Sequence, residues 1–192
     1  MRQVYCAVLP KEKKKMKILV LGGSPNRNGS TQTLIENFSR GAREAGHTVT
    51  VLDTAHMNVH PCTGCIACGY DGPCVQRDDM AQIREAVMDS DMLVFASPLY
   101  FFGFSAQLKT VIDRFCAFSS RINARRMKSA LLSVAWNDDD WTMDAIREHY
   151  LTLVKYLNLR DMGMILGTSC GTPAMTKRSR FPQMAYELGM KL

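Results

Sequence analysis

The sequence lacks any stretch approaching the roughly 18 apolar residues that a membrane-spanning helix requires, which leaves no expectation of a membrane partner. Met1 to Pro10 is too short and too poorly patterned for a signal peptide. Several phosphate-handling signatures are missing as well. Gly23 and Gly29 are present, but no lysine follows Gly29, so an ATP- or GTP-type loop is excluded. Gly22-Gly23-Ser24-Pro25 does not supply the G-x-G-x-x-G of a dinucleotide site. A response regulator needs acidic residues after its first strand, where this chain has Gly-Ser-Pro. No cysteine has arginine six positions on, which excludes the C-x5-R loop of a small tyrosine phosphatase.

What is present starts with an apolar run, Ile18 to Leu21, that reads as a strand buried on both faces. It breaks at Gly22-Gly23 into a loop rich in Ser, Asn and Gly, and a helical pattern follows with Leu34, Ile35, Phe38, Ala42 and Ala45 on one side. Strand, loop and helix N-terminus form a phosphate-holding geometry, because first-turn amides are unpaired and the helix dipole is positive there. Ser24, Asn26, Ser30, Thr31, Gln32 and Thr33 are the candidate polar contacts. A hydroxyl loop with little fixed positive charge suits a monophosphate, and FMN is the natural candidate.

The net charge is +6, carried largely by Lys11, Lys13, Lys14 and Lys15 and by Lys177-Arg178-Ser-Arg180. No recognition motif accompanies these runs, so no nucleic-acid partner is expected, and attraction of anionic cofactors is a sufficient use for the charge. Four of the seven cysteines crowd into Cys62–Cys74 and three are scattered. That distribution fits a reducing cytoplasm better than a disulfide scaffold.

Five apolar strand candidates, 18–21, 49–53, 92–97, 130–135 and 162–167, alternate with helix patterns near 31–45, 79–88, 105–119, 142–157 and 182–190. This alternation predicts an α/β fold: a flavodoxin-like, doubly wound, five-stranded parallel sheet of order 2-1-3-4-5 with helices on both faces. Residues 16–192 read as a single FMN-binding domain and 1–15 as an appended N-terminal arm. The third strand ends in Ser97-Pro98-Leu99-Tyr100-Phe101-Phe102-Gly103, expected beside the phosphate loop. Pro98 stiffens the exit and Gly103 is expected to allow close backbone approach. Leu99, Tyr100, Phe101 and Phe102 offer surface for a flavin ring, since three adjacent aromatics on a turn cannot all face the core.

Cys62-x2-Cys65-x2-Cys68-x5-Cys74 follows the second strand. Its compact spacing either wraps a cuboidal [4Fe-4S] cluster or packs small apolar side chains in an excursion over the flavin. Gly64, Gly69 and Gly72 allow the turns that bring the four thiols together near the flavin edge. Asp78 or Asp79 is expected to cap the next helix, and Asp113-Arg114 to form a structural or interface pair. Asp138, Asp139 and Asp140 read as solvated or helix-capping residues.

The set Gly22 to Thr31 (G-G-S-P-x-x-x-G-S-T), the cysteine loop ending in Asp78-Asp79-Met80, Ser97-Pro98-Leu99-Tyr100, and Leu108-Lys109-x-x-Ile112-Asp113-Arg114 together resemble the NAD(P)H-dependent FMN reductase and iron–sulfur flavoprotein group. The resemblance runs from Met16 to about Ala135. It implies bound FMN and NAD(P)H as co-substrate, with electrons passing to a quinone, flavin or other small acceptor. It also implies homodimers or homotetramers. The flavin would carry the chemistry, so no catalytic side chain is assigned. An electron carrier serving a redox protein, and a flavin-binding regulatory protein, are the other readings.

Overall fold

The computed structural model describes residues 15–192; the expected arm at 1–15 lies outside them apart from Lys15. Five strands, β1 (Lys17–Gly22), β2 (Thr48–Asp53), β3 (Met92–Pro98), β4 (Lys128–Val134) and β5 (Arg160–Gly167), form one sheet of order β2-β1-β3-β4-β5. Every neighbouring pair is parallel. This is the expected flavodoxin-like topology. The helices are α1 (Ser30–Glu44), α2 (Met80–Asp89), α3 (Ala106–Arg114), α4 (Ser119–Arg125), α5 (Asp144–Tyr156), α6 (Pro173–Arg178) and α7 (Phe181–Met190).

Alternation of side chains along each strand divides the core in two. Leu19, Leu21, Leu93, Phe95 and Leu131 face the apolar stripes of α2, α3 and α5, including Ile83, Leu108, Val111, Ile146 and Tyr150. Ile18, Val20, Val94, Ala130 and Leu132 face α1 and α7 through Leu34, Ile35, Phe38 and Ala185. A sheet covered on both faces explains why the strands read as continuous apolar runs.

The helix expected over 105–119 is broken. Its α-helical part ends at Arg114, a 3-10 turn covers Phe115–Ala117, and α4 begins at Ser119. The buried stripe continues through Phe115, which is why periodicity alone ran on past the break. α4, α6 and the 3-10 turn Thr54–His56 are too short to repeat an apolar pattern over the roughly 11 residues that periodicity needs.

α1 and α7 pack backbone to backbone at two glycines. A Cβ built on Gly41 would lie 2.1 Å from the Tyr186 carbonyl oxygen, and one on Gly189 would lie 2.4 Å from that of Phe38. Gly41→Ala gains about 1 kcal/mol of helix propensity, but the contact is with backbone and α7 must move. A net loss of about 1–3 kcal/mol is expected from overpacking. A urea midpoint equal to or above wild type would contradict it.

Candidate functional site

The phosphate loop is fixed at both ends before any ligand is considered. Gly23 N–H donates to the Ala96 carbonyl at 2.8 Å, extending the β1–β3 ladder by one bond. Ser105, the N-cap of α3, donates from Oγ to the Gly23 carbonyl at 2.6 Å and accepts from Leu108 N–H at 3.3 Å. Gly23 is sterically required, since a Cβ there would sit 2.4 Å from Leu108 Cβ. Within the loop, Ser24 Oγ accepts from Asn26 N–H (3.2 Å), Asn26 Oδ1 from Asn28 N–H (3.1 Å), and Asn26 O from Gly29 N–H (3.0 Å). These turns deliver the chain to Gly29, the N-cap of α1, whose missing side chain leaves the helix end uncapped.

That end fits an anion. The first amides of α1 have no upstream carbonyl to bond, its first turn holds no acidic residue, and Ser30 Oγ is buried without a hydrogen-bond partner. A cavity of about 220 Å³ opens there, lined by Ser24, Asn26, Ser30 and Thr31 on one side and Pro98, Leu99 and Tyr100 on the other. Gln32 lines an adjoining cavity with Arg27 and Asp53. Thr33 is buried one turn in, where its carbonyl accepts from Asn37 Nδ2. The cavity is completed by Val134, Ala135, Trp136, Cys170 and Gly171, which sequence reasoning missed. Their signal was topological: β4 adjoins β3, so its carboxyl end had to border the same crevice. The Trp136 indole lies against Gly171, where a Cβ would meet the ring at 2.0 Å.

Tyr100 and Gly103 exchange backbone hydrogen bonds across a two-residue turn in which Phe101 and Phe102 have φ of 43° and 63°. Positive φ at both central positions is the primed hairpin turn that usually holds Asn-Gly; with two phenylalanines it is strained. Phe101 is fully exposed, and Phe102 packs on Trp141 at 5.1 Å between ring centroids. Nothing in the protein lies within 4 Å of a Cβ placed on Gly103, and the positive-φ positions of the turn are taken by the phenylalanines. Phe101, Phe102 and Gly103 lie outside the phosphate-loop cavity.

The cysteine loop forms a second site. Cys62, Cys65, Cys68 and Cys74 line one cavity of about 200 Å³, together with Cys116 from the 3-10 turn after α3. It shares no lining residue with the phosphate-loop cavity. Among the described residues no three His, Cys, Asp or Glu side chains gather as ligands of a single metal ion. A cluster makes a different demand, because its thiolates bind different irons, and cysteines lining one cavity are the donor type it uses. The Ala67 amide, then the Thr63 hydroxyl, lower the pKa of Cys65. Burial, then the neighbouring Cys68, Cys62 and Cys65, push the Cys116 thiol up.

Arg114 and Asp78 hold this loop in place. Nη1 of Arg114 donates to Asp78 Oδ2 (2.7 Å), His60 O (2.8 Å) and Gln76 Oε1 (3.2 Å), and Nη2 donates to Asp78 Oδ1 (3.1 Å). The pair is almost fully buried. Asp113, expected to pair with Arg114, instead binds Lys109 at 2.6 Å; adjacent helical residues point about 100° apart, so they do not share a partner. Asp78 Oδ1 accepts from Met80 N–H and so caps α2, while Asp79 Oδ2 accepts from Asn58 N–H. Asp138 takes a hydrogen bond from Ser169, and all three aspartates of that run are exposed.

Fold and crevice define a flavodoxin-like protein with a cavity at the switch point of the sheet. The chain belongs to the NADPH-dependent FMN reductase family, whose model matches residues 16–165. It is 34% identical over 106 residues to an iron–sulfur flavoprotein of Archaeoglobus fulgidus, covering 55% of this chain and 48% of the relative. It is 34% identical over 99 residues to one of Methanocaldococcus jannaschii, covering 52% and 51%. The match spans about half the length of these relatives. The fold is similar to that of an NAD(P)H:quinone oxidoreductase from Methanothermobacter marburgensis, with a TM-score of 0.78 at 20% identity over 93% of this chain and 96% of that one. An FMN-dependent NADH-azoreductase from Bacillus anthracis, solved with FMN, gives 0.67 at 14% identity over 91% and 96%.

Burial would raise the Asp78 pKa, but the Arg114 hydrogen bonds and the His60 and Met80 amides hold it down at about 2. A carboxylate depressed below its unfolded value of about 3.9 contributes stability that is complete above that value and lost as pH falls toward about 2. Asp78→Asn is expected to cost about 3–5 kcal/mol, as for one partner removed from a buried pair, and to flatten the urea midpoint between pH 4 and 2. A variant retaining the wild-type acid dependence would contradict the assignment.

Proposed function

We infer that this protein is an FMN-dependent oxidoreductase that takes electrons from NAD(P)H and delivers them to a quinone, flavin or other small acceptor. The observation that carries the reading is the uncapped start of α1, where Ser30 Oγ is buried without a partner and Ser30 and Thr31 line one cavity with Pro98, Leu99 and Tyr100. Ser24, Ser30 and Thr31 hold the FMN phosphate with neutral donors and loop amides. Backbone at Pro98, Leu99 and Tyr100 orients the ring, and Trp136 screens its far side from water. Bound FMN supplies hydride acceptance and release. The exposed Tyr100, Phe101, Phe102 and Trp141 at the rim provide an apolar approach for a planar acceptor and a surface for a second copy of the chain. Cys62, Cys65, Cys68 and Cys74 would hold a [4Fe-4S] cluster, which would supply one-electron transfer. The likeness to proteins named iron–sulfur flavoproteins and the four cysteines lining one cavity support this. Free thiols at all six described cysteines suit a reducing cytoplasm.

Two measurements test the reading. Ser30→Ala combined with Thr31→Ala is expected to weaken FMN binding by about 1–3 kcal/mol, through lost hydrogen bonds to a charged group; fluorescence titration with unchanged affinity would refute the phosphate site. In stopped flow, NADH or NADPH is expected to bleach the flavin band directly. If only a reduced ferredoxin-type protein does so, the protein is an electron carrier.

A further inference from the structure

The thiol cavity contains one more cysteine than the loop motif supplies. Cys116 lies far along the chain from the motif, on the turn Phe115–Ala117, and lines the same cavity as Cys62, Cys65, Cys68 and Cys74. Its neighbours are Cys68, Cys62 and Cys65, the first three thiols of the run. Cys74, the last, lies beside the Arg114 guanidinium.

The two candidates for a fourth ligand are therefore held differently. Cys74 belongs to the loop. Cys116 belongs to the helical frame, between the buried Phe115 and Phe118. The loop is also tied to that frame through α4. Arg121 of α4 pairs with Asp71 at 2.5 Å, and Ser120 Oγ donates to the Tyr70 carbonyl at 3.3 Å. These bonds anchor Tyr70 and Asp71, which closely follow Cys68 in the loop, to α4. A ligand on a rigid element starts closer to its bound position than one on a loop.

We propose that Cys116 is an alternative fourth thiolate for the centre held by Cys62, Cys65 and Cys68, able to replace Cys74. The proposal rests on the cluster reading above. Exchange would break the iron–Sγ bond to Cys74 and form one to Cys116; the proton lost by the Cys116 thiol is balanced by protonation of the released Cys74 thiolate, with no electron transferred.

The full chain is reconstituted anaerobically with ferrous iron and inorganic sulfide. Iron, sulfide and FMN per chain are then measured with the visible absorption spectrum. Cys74→Ser and Cys116→Ser are each expected to keep more than half of the wild-type iron and sulfide. The double variant is expected to lose both at least tenfold while retaining FMN, which reports that it is folded. Cys74→Ala replaces Cys74→Ser if the serine variant loses FMN. A Cys74 variant that keeps FMN and is as empty of iron as the double variant overturns the proposal alone. Wild-type protein that takes up no iron and sulfide overturns the proposal and the cluster reading together.

Discussion

The buried ion pair between Arg114 and Asp78 is the constraint on which the cysteine site depends. β2 ends at Asp53 and α2 begins at Met80, and one 3-10 turn is the only helix or strand between them. A connection that long inside a compact fold is uncommon and usually functional. It holds a shape because one guanidinium bonds the loop both early, at His60, and late, at Gln76 and Asp78. The same carboxylate accepts from the His60 and Met80 amides, joining the start of the loop to the start of α2. Two buried charges carry a large desolvation cost, which is offset only when nearly every lone pair and donor is used. Four bonds from the Arg114 Nη atoms and two backbone amides to Asp78 meet much of that condition, while Arg114 Nε stays buried without a partner.

The phosphate-loop crevice is held with neutral groups. Past the strand ends, bonds such as Leu99 N–H to Val134 O and Cys170 N–H to Ala135 O keep successive loops in register with the sheet. The crevice therefore inherits the rigidity of the strands. The strain at Phe101 and Phe102 sits just beyond this ordered rim, on a turn fixed by the bonds between Tyr100 and Gly103. Two bulky residues in the left-handed region persist only where such bonds impose it. The turn thereby holds the Phe101 ring out in solvent rather than letting it fold onto the core.

The sheet was legible because a doubly covered parallel strand must be apolar on both faces, and the runs at 18–21 and 92–97 are. The phosphate loop was legible because hydroxyls and glycines cluster between a strand and a helix. What sequence could not reveal was long-range pairing. Arg114 meets Asp78 across 36 residues, while the neighbour that looked like its partner, Asp113, points elsewhere. Cys116 read as a scattered thiol because nothing local distinguishes it; only the break of the helix at Arg114 turns it toward the loop. Trp136 and Gly171 were hidden for a related reason, since their contact exists only once β4 and β5 are adjacent.

The two sites are linked through one helix. The N-cap of α3, Ser105, bonds the phosphate loop at Gly23, and its last residue, Arg114, bonds the cysteine loop. Between them run the nine residues of α3, about 14 Å of helix at 1.5 Å per residue. A loop of equal length would set a maximum separation and no direction. A helix sets both, and each added or removed residue would turn Arg114 by about 100° relative to Ser105. The buried face of α3, with Leu108, Val111 and Ile112 against the sheet, prevents that rotation from being absorbed by rolling the helix. Core packing therefore fixes not only that each site forms, but how the two are oriented toward one another.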